Sequence, residues 1–134
     1  MLGCDSTVES QQQQELWNAL GITNYSFVYT VSCFCGFNGP NPALITVHDG
    51  VVTKVEPAPG GAVVPITGPI TAYPTIDSLF AIAARAKAQN PAIFNITYDP
   101  TYHFPRTIEV DPVERVADDE ISYRVDNFTP SASQ

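Results

Sequence analysis

The chain has 134 residues, 44% of them hydrophobic and only 15% charged, and six Lys+Arg against 14 Asp+Glu give a formal net charge of −8. That length builds one domain, and the apolar content argues against intrinsic disorder. The acidic balance argues against a nucleic-acid backbone or an anionic membrane surface as partner. No stretch approaches the ~20 apolar residues of a membrane-spanning helix.

Leu2-Gly3-Cys4, followed by a polar, Ser/Gln-rich stretch, resembles the end of a bacterial lipoprotein signal, in which the cysteine is lipidated. No apolar h-region precedes it in this chain. On this reading Cys4 is a lipid anchor and residues 1–10 are a disordered tether, followed by one globular domain over 11–128 and a loose tail over 129–134. The bland alternative is a stray cysteine in a tail.

Glu9 to Leu20 predicts a helix, with Leu16, Trp17 and Leu20 at helical spacing and Gly21 closing it. Tyr25 to Cys35 predicts a strand with Tyr25, Phe27, Tyr29, Val31, Cys33 and Cys35 on one face. Leu44–His48 and Val51–Val55 flank Asp49-Gly50, the hairpin dipeptide that accepts positive φ at both turn positions. Residues 57–74 read as a long Gly/Pro-rich loop, with room for a short strand at Ala62–Ile66. Thr75 to Gln89 predicts a second helix, with Thr75 as N-cap, Asp77 at the positive end of the dipole and an apolar stripe of Ile76, Leu79, Phe80, Ala83 and Ala86. Strands are expected at Ala92–Tyr98, Arg106–Val110 and Ile121–Val125, the last with Ile121, Tyr123 and Val125 inward.

The expected fold is α+β, in the order α-β-β-β-α-β-β-β, with a mainly antiparallel sheet and both helices on one face. Six motifs in fixed order carry a family resemblance. They are Tyr25-x-Phe27-x-Tyr29, Ser32-Cys33-Phe34-Cys35, Val47 to Val52 around the Asp-Gly turn, Tyr73 to Phe80, Tyr98 to Pro105, and Ala117-Asp118-Asp119-Glu120. Together they resemble a family of small bacterial lipoprotein-like α+β domains of unassigned function. The family usually places a glycine where His103 stands. The resemblance implies an envelope or secreted location and a one-domain fold; it implies no activity and no catalytic residue.

Several constellations bear on chemistry. Cys33 and Cys35 share one strand face with Cα atoms ~6.5–7 Å apart, so a disulfide between them needs a bend and would be strained. Two free thiols packed as small hydrophobes is the alternative, and a copper or zinc site with His48 or His103 is a third. Cys35, His48 and Asp49 supply the residue types of a thiol nucleophile, but the hairpin explains Asp49 and an exposed strand end explains His48. From Asp99 to Asp126 lie eight of the 14 acids, whereas Ala58 to Ile76 holds none. Asp111, Asp118, Asp119 and Glu120 bracket a loop that offers calcium oxygen ligands, without EF-hand spacing; a solvated loop with turn-capping aspartates is the favoured reading. Tyr73, Tyr98, Tyr102, His103 and Phe104 surround Pro-flanked turns and offer an aromatic binding patch, against the alternative that the rings fold back onto the sheet.

The expectation drawn from these residues is a membrane-tethered, non-enzymatic accessory or binding domain of the cell envelope that needs no cofactor. It would meet an envelope protein or an exported small molecule, with no nucleic-acid partner and membrane contact only through the anchor. A divalent-metal-binding module, with calcium at the acidic loop or a thiol site at Cys33/Cys35, is the alternative.

Overall fold

The computed structural model describes residues 6–32, 40–60, 68–111 and 120–131. Cys4, Cys33, Cys35, the strand expected at Ala62–Ile66, and Asp118 and Asp119 lie outside the described residues.

Helix α1 spans Ser6–Leu20, so it takes in half of the stretch expected to be a tether. Of its three apolar residues at helical spacing only Trp17 is buried; Leu16 and Leu20 are 46% and 44% exposed. Strand β1 (Tyr25–Ser32) alternates as its sequence demands, with Tyr25, Phe27, Tyr29 and Val31 all buried. Strands β2 (Ala43–His48) and β3 (Val51–Pro57) form the hairpin around Asp49 (φ 51) and Gly50 (φ 77), both left-handed as a type I′ turn requires. The hairpin tip is docked: the buried Asn24 accepts Asp49 N–H at 2.9 Å and Thr23 O accepts Gly50 N–H at 3.0 Å.

Helix α2 spans Ile76–Ala88 and starts as read: the Thr75 hydroxyl accepts Ser78 N–H, and Ile76, Leu79, Phe80 and Ala83 are buried. Strands β4 (Ile93–Tyr98), β5 (Pro105–Asp111) and β6 (Ile121–Pro130) complete the chain.

The architecture departs from the expected one. A single 3-10 turn at Ile70–Ala72 stands between β3 and α2, so the order is not α-β-β-β-α-β-β-β. Pro69 and Pro74 bracket that segment, which leaves room only for the i→i+3 bonds from Ala72 N to Pro69 O and from Tyr73 N to Ile70 O, both 3.0 Å. The sheet is not mainly but wholly antiparallel in every pairing, and it is one open sheet in the order β3-β2-β1-β6-β5-β4. Strand outweighs helix. The two three-stranded meanders join through β1 and β6.

β6 runs five residues beyond its expected end. Ser26 pairs with Thr129 but Val28 with Asp126, so β6 carries one extra residue there, and Asn127 takes φ 53 to absorb it. The bulge resets the alternation after Val125 and brings Phe128 into ring contact with Trp17, Tyr25, Tyr102 and Phe104, at centroid distances of 5.7, 5.3, 4.9 and 4.7 Å. This aromatic cluster holds α1. The Trp17 indole also stands edge-on to Tyr25 and Phe104, and its Nε1–H donates to Asp77 Oδ1 at 3.0 Å, linking α1 to the first turn of α2.

Candidate functional site

The aromatic patch does not exist as an exposed surface. Tyr73 and Phe104 are buried, and the five residues divide among three places in the fold. Tyr73 packs edge-on to Tyr29 and its hydroxyl donates to Pro40 O at 3.0 Å. Tyr98 stacks on Phe80 of α2. Tyr102 and Phe104 stack together beneath α1, and His103 Nδ1 lies 3.0 Å from Gln13 Oε1 of that helix. The rings fold back because Asp99 closes a tight turn: its Oδ2 accepts Thr101 and Tyr102 N–H, and its backbone exchanges bonds with His103 and Phe104. His103 has φ 72, the conformation glycine favours, so the turn keeps its geometry without the glycine.

The other sequence-predicted residues are not brought together. His48 and Asp49 are exposed at the β2–β3 turn, with His48 Nε2 3.5 Å from Asp49 Oδ2. Asp111 ends β5 and is buried, with Oδ1 accepting no hydrogen bond among the described residues; Glu120, just before β6, is exposed. Among the described residues no three His, Cys, Asp or Glu side chains converge on a metal-sized site.

A groove that the sequence did not announce lies between the C-terminal half of α2 and the β5–β6 pair. Its helix wall is Ile82, Arg85, Ala86 and Gln89, which are spaced i, i+3, i+4 and i+7 and so share one helix face. Pro91 closes the end where α2 stops, with Asn90 at φ 52. The floor is Val110 and Ile121, directly paired across β5 and β6, with Tyr123 two residues along. Its volume is about 300 Å³ and it opens to solvent. Burial raises the Tyr123 phenol above its ordinary value while the Arg85 charge pulls it down, so the two polar groups sense each other across the groove. Tyr29, in the adjoining core, is raised by burial and by the neighbouring phenols of Tyr123 and Tyr73. In the sequence, Arg85 is only a polar residue beside the apolar stripe of α2; nothing in the spacing tells which flank of the helix stays uncovered.

Residues 9–130 match the model of a family of unknown function, DUF6174. The chain belongs to that family. No curated protein and no solved structure shows a significant match. A family of unassigned function agrees with the expectation drawn from the six motifs; the family's own description says nothing of lipoproteins.

Proposed function

We propose that this family member is a binding domain of the cell envelope, lipid-anchored through Cys4, and that the α2/β5–β6 groove is its binding surface. The observation that supports it is the groove's composition. An apolar floor of Val110 and Ile121 carries a few convergent polar groups, Arg85, Gln89 and Tyr123, as small-molecule sites do. A guanidinium, an amide and a phenol raised by burial can hold and orient a ligand; at neutral pH none of them is a ready general base, which favours binding over catalysis. The anchor rests on Leu2-Gly3-Cys4.

Two measurements test the parts separately. Labelling of the full-length precursor with a clickable fatty acid should mark the wild type and not Cys4→Ser; an unlabelled wild type removes the anchor. A fragment screen by ¹⁵N–¹H NMR should cluster its hits on Ile82, Ala86, Val110 and Ile121, and hits scattered over the sheet with none at the groove would remove the binding surface.

A second reading, cation binding at the end of β5, draws on one observation. Asp111 buries a carboxylate oxygen that has no hydrogen-bond partner among the described residues, and a buried charge calls for a counter-ion. Calorimetry of chelator-treated protein with calcium tests it; a titration without heat and an unchanged Tm would dispose of it.

A further inference from the structure

We propose that the groove takes a small organic monocarboxylate with an apolar body, its carboxylate held by Arg85 and its chain laid on Val110 and Ile121. The proposal rests on the groove being the binding surface and adds the ligand's chemistry.

Charge complementarity carries it. The chain has only six Lys+Arg against 14 acids, so cations are scarce on this surface. Lys54 and Arg124 each sit beside a carboxylate, Glu56 at 3.6 Å and Asp126 at 3.0 Å, and Lys87 lies over the Phe94 ring. Arg85 and Arg106 make no ion pair among the described residues, and of the two Arg85 lines the groove. Its planar fork of donors matches a carboxylate bidentately. Arg85 and Lys87 both stand in the last turn of α2, and two full charges outweigh the roughly half-charge of the helix C-terminus that would otherwise repel an anion.

The rest of the groove fixes the ligand's other end. Val110, Ile121, Ile82 and Ala86 present only hydrocarbon, so a polar body such as a sugar or nucleotide would lose its water without compensation. The Tyr123 hydroxyl stays protonated under burial and is available as a donor. A volume of about 300 Å³ lies at the lower bound of small-molecule pockets and admits one short chain or one ring, not a two-chain lipid.

The test uses the whole chain with octanoate and the matched neutral amide, octanamide, as probes, read by ¹⁵N–¹H NMR titration. Octanoate should saturably shift the amides of Ile82, Ala86, Val110 and Ile121. Its affinity should fall about tenfold in Arg85→Met and less in Arg85→Lys, which keeps the charge but not the fork. Octanamide should bind the wild type about tenfold more weakly than octanoate and should not distinguish Arg85→Met from it. Arg85 is exposed, so both variants should retain the wild-type spectrum elsewhere. Equal binding of acid and amide at the groove would overturn the carboxylate while leaving the groove as a binding surface. Shifts from neither probe at the groove would overturn the proposal, and the fragment screen then decides whether the binding surface falls with it.

Discussion

Removing the Trp17 side chain should release α1 from the sheet without unfolding the rest. Among the described side chains of α1, Trp17 alone is buried, at 3% exposure, while Leu16 and Leu20 are nearly half exposed. Truncating a buried tryptophan to alanine costs about 3–5 kcal/mol in ordinary cores. Here the side chain also gives up its Nε1–H bond to the Asp77 carboxylate and its edge contacts with Tyr25, Phe104 and Phe128. Once that anchor is gone, a 15-residue helix has little to hold it, because isolated helices of about that length are marginal in water. The loss is therefore capped at the docking energy of α1, and Tm should fall by roughly 10 °C. Hydrogen exchange on Trp17→Ala is the decisive assay: the amides around residue 17 should exchange almost as in a free peptide while those of β1 and β6 stay protected. Trp17→Phe keeps the packing and deletes the donor, and should cost about 1–2 kcal/mol. If α1 amides keep their protection in Trp17→Ala and Tm moves by less than about 2 °C, the single-anchor account is wrong.

Other outcomes follow from named contacts. Tyr25 Oη accepts the Ile76 N–H at 2.9 Å, so Tyr25→Phe should cost about 1–3 kcal/mol by leaving a buried donor at the start of α2 unmet, measured by urea denaturation. Burial pushes the Tyr25 phenol up to about 12 from 10.0, so the unfolded chain gives up this proton first. The Tyr25 share of stability should be fully present below pH 10 and fall by of order 2–3 kcal/mol between pH 10 and 12, with the raised phenols of Tyr29, Tyr73 and Tyr123 adding losses of the same sign, seen as alkaline unfolding that coincides with phenolate absorbance rather than following it. Asn41→Ala should cost about 1–3 kcal/mol, because the Asn41 amide bonds both Val31 N–H (3.1 Å) and Val31 O (2.7 Å) and extends the β1 ladder past Ala43; an unchanged denaturation midpoint would count against that role. His103→Gly should be near neutral, since relief of a left-handed non-glycine residue offsets the lost contact with Gln13, whereas His103→Ala keeps the strain and should lose about 1 kcal/mol; reversal of that order in paired melts would refute it.

What the sequence revealed was local. The Asp49-Gly50 turn and the start of α2 at Thr75 were legible because two adjacent residues, or one hydroxyl three residues from its donor, carry the whole signal. The β1 face was legible because strict alternation has one reading. The run of β6 past Val125 was not, because an inserted residue at Asn127 breaks the alternation that defines a strand, and so nothing in the spacing marks Phe128 as packing against the core. Helical spacing grouped Leu16, Trp17 and Leu20 but could not say which one meets the sheet. The aromatic turn failed as a patch for the same reason: ring content does not tell whether a turn faces water or α1. The groove needed tertiary information, since its walls come from three elements.

The central β1–β6 pair has a mechanical consequence. Tyr25, where the chain enters the sheet, lies opposite Pro130, where it leaves, and Ser131 N–H bonds Asn24 O at 2.8 Å. A force applied through the two chain ends therefore acts at one end of one ladder and opens its hydrogen bonds in succession, as a zipper, instead of loading them together in shear. Under tension α1, held by its Trp17 anchor, should come away first, and the sheet then parts along its midline into two three-stranded halves, starting at the Asn24–Ser131 bond.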